Sequence, residues 1–398
     1  MALRWMTEEY DAFLTFKSGL TESDGSFAYL KSLPHGNVHS YRSKGRSVVN
    51  FSTYDYLGLG ENEQVRAAAK RAIDTYGVST SASRMVSGEL DIHTELEESL
   101  TDFLGTEDTV TFVSGHATNV MTLGYLFGPQ DLLLCDQYAH NSIEVGARLS
   151  GGEVRKFRHN DVADLERLLL QAEPGRRTVV CVEGLYSMDG DLTPLPEILA
   201  LKRRFEFVLY VDEAHSIGTV GATGRGVCEH FGVDVREVDV LMGTLSKTMG
   251  SCGGFISGSR ELVDYLRISG PGFMFSTGLP GPAAGAALEA LRLLREHPEY
   301  VADVQHKSRL FSTRLLGGAG QQTPIIPLLV RHDWVNDFAL HCQQAGVRVF
   351  PISYPAVARN ATRVRFFLSR LHTEAQLRDT AELINFLHNQ FTLERSAS

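Results

Sequence analysis

From about residue 109 to residue 258 the chain alternates strand-length apolar runs with helix-length stretches, and this alternation restricts the fold more than any other feature. The runs are Thr109 to Val113, Leu132 to Cys135, Thr178 to Val182, Phe207 to Val211, Val238 to Met242 and Gly254 to Ser257. Between several of them lie helical stretches: Ala117 to Phe127, Asp161 to Ala172 and Leu195 to Arg204. Strands joined by crossover helices pair in parallel, and a parallel sheet must be covered on both faces. The expected fold class is therefore α/β, with a large domain built on a mostly parallel sheet. Ahead of it, helices are expected from Glu63 to Tyr76, closed by Gly77, and from His93 to Leu104, closed by Gly105. Glycine accepts the left-handed conformation that ends a helix. A long Ala/Leu-rich helix begins at Pro280, and residues 300–395 read as a smaller α+β unit. The expected division is an N-terminal arm (1–50), a large domain (51–285) and a C-terminal α+β domain (286–398).

A formal net charge of −10 has the wrong sign for a nucleic-acid binder. No apolar run is as long as a membrane span. The N-terminus, Met1-Ala2-Leu3-Arg4-Trp5-Met6, runs into acids rather than into the apolar region of a signal peptide. The five cysteines (Cys135, Cys181, Cys228, Cys252, Cys342) have no paired spacing and read as free thiols of a reducing compartment. A cytoplasmic location is expected. Helical periodicity marks Glu8 to Phe16, and Ser40 to Arg46 is a short basic stretch. That stretch is a solvated turn or, alternatively, a contact for an anionic acyl carrier.

Four features fall at strand ends, where open α/β sheets bind ligands. Ser114-Gly115-His116, opening a helix, offers backbone N–H groups and a helix dipole to a phosphate. Many such turns hold nothing. In Asp136-Gln137-Tyr138-Ala139-His140, His140 is either a surface histidine or a ring that stacks on a planar cofactor. Asp212 ends the apolar run 207–211, where a carboxylate needs a cation or several donors. A helix N-cap is one reading of it, and a partner for a protonated pyridine nitrogen is another. A metal site is not supported, because no further ligands follow at a suitable spacing. Lys247 stands in Gly243-Thr244-Leu245-Ser246-Lys247-Thr248-Met249-Gly250, among small hydroxyl and glycine residues. This setting between two apolar runs suits a Schiff-base lysine better than a solubilising charge. Phosphate turn, ring-stacking histidine, buried aspartate and lysine, in that order, together specify pyridoxal 5′-phosphate (PLP).

Longer motifs carry a family resemblance. They are Asp55-Tyr56-Leu57-Gly58, Val86-Ser87-Gly88, His93 with Leu96-Glu97, Asp136 with His140 and Ser142, Glu183 to Gly190, Asp212 to Gly218, and Gly243 to Lys247. From about Asn50 to about Phe391 the chain resembles the α-oxoamine synthases, a branch of the fold-type I PLP enzymes. The run Phe157-Arg158-His159-Asn160 is most similar to bacterial serine palmitoyltransferases, and Pro351 to Pro355 to 5-aminolevulinate synthases. The resemblance implies a fold-type I PLP-dependent transferase with a large mostly parallel-sheet domain and a smaller α+β C-terminal domain. It implies that Lys247 carries the cofactor and moves the Cα proton, that Asp212 holds the ring nitrogen protonated, that His140 stacks on the ring and that His215 bonds its 3′ oxygen. Ser114, Gly115, His116, Thr244 and Ser246 would bind phosphate, and Ser187 would join the cofactor contacts. Thr277 would reach the phosphate of a neighbouring subunit, so the site would need a homodimer. Arg365 would grip the substrate carboxylate, with Tyr54 and Ser83 also on the substrate side.

The implied reaction is a decarboxylative, Claisen-like condensation of a small α-amino acid with an acyl thioester, on CoA or an acyl carrier protein. It gives an α-amino ketone and CO2. A PLP aminotransferase or C–C lyase of the same fold is the alternative. An idle partner subunit is disfavoured because Lys247 and Asp212 are both kept, and a nucleotide-binding module lacks the P-loop lysine pattern. Three departures from the family pattern stand out. Ser353 occupies the place of a common arginine, His116 that of an aromatic, and Ser79 to Ser83 is rich in Ser and Ala rather than Gly. The last is similar to synthases that take acyl groups from a carrier protein. The identity of the amino acid and of the acyl donor is left open.

Overall fold

The computed structural model describes residues 38–43, 45–354, 357 and 359–396. The periodic stretch Glu8 to Phe16, Lys44 and Pro355 lie outside the described residues.

A seven-stranded sheet organises the chain. Two strands precede it, β1 (Ser40–Ser43) and β2 (Arg46–Asn50). Its own strands are β3 (Asp108–Phe112), β4 (Leu132–Asp136), β5 (Glu153–Phe157), β6 (Thr178–Glu183), β7 (Val208–Asp212), β8 (Val240–Thr244) and β9 (Gly254–Gly258). They lie in the order β3-β9-β8-β7-β6-β4-β5. All neighbours are parallel except β9, which runs antiparallel to both β3 and β8. The apolar runs of the sequence are these strands, each displaced by two residues or fewer. β4, β6, β8 and β9 are buried along their whole length, as a sheet covered on two faces requires. Strand β5 carries Glu153, Arg155 and Lys156 and is half exposed at the sheet edge, which is why no apolar run marks it.

Local chemistry sets the helix ends. Helix α1 (Glu63–Tyr76) starts at Asn62, whose side chain accepts from the Gln64 N–H at 2.8 Å. It stops at Gly77, at φ 76°. Helix α2 (Asp91–Leu104) stops at Gly105, at φ 79°. Helices α3 (Gly115–Leu126), α4 (Asn141–Leu149), α5 (Val162–Leu170) and α6 (Leu195–Phe205) follow strands β3, β4, β5 and β6. Asp161 caps α5 through the Asp164 N–H. The long helix α7 (Gly281–Glu296) packs across α1 and α2.

Two apolar clusters fill the two faces of the large sheet, and a separate one serves the C-terminal part. There β10 (Ile325–Leu329), β12 (Phe350–Ile352) and β13 (Arg363–Phe367) form an antiparallel sheet with β13 in the middle. Strand β2 pairs in parallel with the short β11 (Val347–Arg348), and Phe51 inserts between Phe311 and Phe366. Burying each such side chain contributes about 1.5–3 kcal/mol. Strand β2 and Phe51 are thereby fastened to the C-terminal part of the chain.

Candidate active site

Helix α3 begins directly after β3. Ser114 is its N-cap, with Oγ accepting from the Ala117 N–H at 3.3 Å. The first N–H groups of a helix have no partner inside it, and they carry the positive end of the dipole. Gly115 lets this end approach β8: a Cβ there would lie 2.6 Å from Thr244 Oγ1. Thr244 and Ser246 both donate their hydroxyls to the Gly253 carbonyl, at 2.9 and 3.3 Å. Ser114, Gly115, Thr244 and Ser246 therefore meet at one corner. His116 lies at its exposed edge, with its ring 6.1 Å from that of His140 at 81°.

Lys247 follows β8 in the turn that the Lys247 carbonyl closes through the Gly250 N–H. Burial is the main influence on its amine and works against the charge; Asp212 and Glu183 work the other way, and the pKa settles at about 8. Its Nζ lies 5.9 Å from the centre of the Tyr54 ring. Asp212 ends β7. Its Oδ1 accepts from the Ala214 N–H at 2.9 Å and its Oδ2 from Asn119 Nδ2 at 2.7 Å, which leaves acceptor capacity for a cation. His215 is held by the Tyr56 hydroxyl at 2.7 Å. Burial first, then Lys247 and Arg365, push its pKa well below the ordinary value, so its ring is neutral.

Arg365 comes from β13, in the C-terminal sheet. Its Nη1 donates to the Ser187 carbonyl and its guanidinium lies 4.9 Å from the Phe367 ring centre, while its buried Nε has no partner. Tyr54 packs edge-on against both Phe367 and His215, closing the gap between Arg365 and Lys247. A cavity of about 600 Å³ is lined by His140, Ser187, Met188, Asp189 and Arg363 among others.

The residues fit PLP. A helix N-terminus and two hydroxyls meet at one corner, a donor set suited to a phosphate. A lysine whose pKa is lowered to about 8 stands near a carboxylate with spare acceptor capacity. Two polar atoms of this cluster, Glu183 Oε1 and Arg365 Nε, are buried without partners and could meet a ligand. No cluster suited to a metal ion exists among the described residues.

Comparison with known proteins agrees with this geometry. Residues 46–384 match the aminotransferase class I and II family. The 8-amino-7-oxononanoate synthase of Thermosipho melanesiensis is 35% identical over 361 residues, 89% of this chain and 92% of that protein. Serine palmitoyltransferase 3 of Homo sapiens is 35% identical over 382 residues, 90% of this chain and 69% of that protein. The solved Sphingomonas wittichii serine palmitoyltransferase superposes with a TM-score of 0.90 at 27% identity, covering 99% of both chains. The chain belongs to the α-oxoamine synthase family. It has the fold-type I PLP-dependent transferase fold and uses PLP. It is a C-acyltransferase that condenses an amino acid with an acyl thioester with loss of CO2.

Of the residues singled out in the sequence, the cluster contains Lys247, Asp212, His140, His215, Ser114, Gly115, His116, Thr244, Ser246, Ser187, Tyr54 and Arg365. Thr277 and Ser83 lie together elsewhere, where the Gly278 N–H meets the Ala82 carbonyl at 3.1 Å. Thr277 is exposed and Ser83 half-buried in the single chain. Sequence reading gave no role to Asn119, Ser142, Tyr56, Tyr210 or Glu183. Ser142, Tyr56 and Glu183 stand inside the quoted motifs, so a signal was present. Nothing in the sequence marks Asn119, within a helix, or Tyr210, within an apolar strand. No helix among the described residues is long and apolar enough to cross a membrane.

Proposed function

We propose that this synthase condenses a small α-amino acid with an acyl thioester carried by CoA or an acyl carrier protein, at a site built around Lys247, Asp212 and Arg365. The observation that carries this reading is that Lys247, just after β8, and Asp212, at the end of the neighbouring β7, stand together; burial lowers the Lys247 pKa to about 8. When bound, PLP supplies an electron sink for the carbanion formed at the amino acid Cα.

In this reading Lys247 Nζ holds the cofactor at rest. Once freed as a neutral amine it takes the Cα proton, and it returns one after CO2 has left. Asp212 keeps the ring nitrogen protonated, and the neutral His215 offers a hydrogen bond to the 3′ oxygen. The turn 114–116, with Thr244 and Ser246, binds phosphate. Arg365, fixed by the Ser187 carbonyl and Phe367, presents its free N–H groups to the substrate carboxylate. Tyr54 flanks that carboxylate. Thr277 of the partner subunit completes the phosphate site of a homodimer, with Ser83 on the substrate side. The free thiols suit a cytoplasmic location.

The test is to mix PLP-loaded protein with an acyl thioester and each small amino acid in turn, and to measure free thiol and CO2. Equal release of both with one amino acid is expected. Lys247→Ala should abolish it while leaving a folded protein. Appreciable turnover by that variant would overturn the role of Lys247, and conversion of the cofactor to its pyridoxamine form would overturn the condensation.

A further inference from the structure

A chain of buried side chains joins Asp212 to His140. Tyr210 OH meets Asn119 Oδ1 at 2.6 Å. Asn119 Nδ2 lies 2.7 Å from Asp212 Oδ2 and 2.9 Å from Ser142 Oγ. Ser142 Oγ lies 2.7 Å from His140 Nδ1. Asn119, Ser142, Tyr210 and Asp212 are all buried.

Donor counting gives this chain a direction. A carboxylate can only accept, so the Asn119 atom facing Asp212 is the NH2 group, and Oδ1 must face Tyr210. Burial raises the pKa of the Tyr210 phenol well above its ordinary value, so it keeps its proton and donates to Oδ1. Asn119 spends one N–H on Asp212 and the other on Ser142. Ser142 Oγ accepts there and keeps its own proton to donate to His140 Nδ1, 2.7 Å away. The Ser142 N–H also points at Nδ1, at 3.3 Å. With two donors directed at it, Nδ1 has no room for a proton, and the hydrogen of a neutral His140 ring sits on Nε2.

We propose that Asn119 and Ser142 are positioning residues that fix His140 as the Nε2–H tautomer and tie that choice to Asp212. The proposal rests on the reading of His140 and Asp212 as the residues facing the cofactor. A proton added to Nδ1 would leave the Ser142 oxygen facing two donors with its own hydrogen unplaced. The neutral ring is therefore held by geometry as well as by its surroundings. Those surroundings are burial first, which opposes the charge, then Asp212, which favours it, and Lys247, His116 and Arg365, which oppose it, with Glu183 against the His140 backbone. Because the Asn119 amide gives one N–H to Asp212 and the other to Ser142, which faces His140, a change at Asp212 can reach His140 without contact between them.

The experiment uses the PLP-loaded enzyme with 15N-labelled histidine. The His140 signals are assigned by their loss in His140→Gln, and the tautomer is read from the coupling pattern of the two ring nitrogens between pH 6 and 9. The wild-type ring should be Nε2–H throughout. In Ser142→Ala it should become a mixture of tautomers whose proton affinity rises at least tenfold, and kcat/KM should gain a new acid limb. Ser142→Thr, which restores the hydroxyl, should remove both changes. Tyr210→Phe deletes one oxygen at constant shape, frees the amide to turn, and should give an intermediate effect. A wild-type ring protonated on Nδ1, or a Ser142→Ala ring that keeps the wild-type pattern, would overturn the relay. The underlying reading fails separately: it is overturned if removal of PLP leaves the His140 signals unmoved.

Discussion

His140 and His159 serve the same end of strand β4 and are driven in opposite directions. Burial disfavours the charge on both. At His140 it prevails, helped by Lys247, His116 and Arg365, and the pKa falls. At His159 the ring nitrogens face Asp136 Oδ1 and Asp191 Oδ2, each at 2.9 Å. Those two hydrogen bonds outweigh burial and lift the pKa to about 10. Tyr138 lies over that ring at 4.6 Å, and Tyr186 meets it edge-on at 4.5 Å. The difference lies in the partners' polarity. His140 Nδ1 is offered hydrogens and stays neutral; His159 is offered lone pairs on both sides and stays charged. The charged histidine fastens β4 to the loop 184–193, which presents the Ser187 carbonyl to Arg365. In the proposed reading the neutral one is left to meet the cofactor.

The sharpest way to break this contrast is to neutralise one aspartate on each side. Asp212→Asn should lower turnover by about 10²–10³-fold, since it removes a charge placed against the reacting system. Asp136→Asn should lower stability and leave turnover within about tenfold, since it touches only the structural clamp. Equal losses of turnover, measured by thiol release at saturating substrate, would show that the two sides are one functional unit.

The second effect is on stability. His159→Gln should cost about 1.5 kcal/mol in urea denaturation at pH 7, the low end for hydrogen bonds to charged groups, because Asp191 is 40% exposed. The sign of its pH dependence follows from the raised pKa. Between about pH 6.5 and pH 10 the folded state holds a proton that the unfolded state has lost, so this contribution is complete below that window and fades as pH rises through it. Lys247 has the opposite slope. Its pKa is lowered from 10.5 to about 8, so burying it as a cation costs stability below pH 8, and the cost disappears as pH rises toward 10.5. In PLP-free protein, Lys247→Met should therefore be more stable than the wild type at pH 7, and His159→Gln less stable. Both gaps should close near pH 10. Gaps that stay constant with pH would refute the protonation states given to both groups.

The same two environments show what could be read from the sequence. Strands β7 and β8 are legible because burial on both faces demands apolar runs, and Asp212 at the end of β7 and Lys247 just after β8 stand out as polar residues. Strand β5 did not, because an edge strand tolerates Glu153, Arg155 and Lys156. The phosphate corner was legible as a strand–helix turn, whereas its closeness to Thr244 depends on the absent side chain of Gly115. Asn119 and Tyr210 were invisible because their partners are brought together by the stacking of α3 on the sheet, across 93 and 91 residues of chain. His159 was quoted as part of a motif, but its charge depends on Asp191, thirty-two residues further on. Periodicity reports burial, and it cannot report which buried polar groups will meet.

The smallest expected effect concerns His116, at the edge of the proposed phosphate corner. It meets His140 edge-on at 6.1 Å and opposes the charge on it. Phenylalanine at this position would keep the edge-to-face packing, worth about 0.5–1.5 kcal/mol, and remove the positive contribution. His116→Phe should then leave kcat within about threefold, since Asn119 and Ser142 still direct hydrogens at Nδ1. Any upward shift of the acid limb of the pH profile should be well below one unit. A shift of a full unit or more would mean that charge from His116, rather than the relay through Ser142, is what keeps His140 neutral. The contrast with His159 would then be one of neighbouring charges rather than of hydrogen-bond direction.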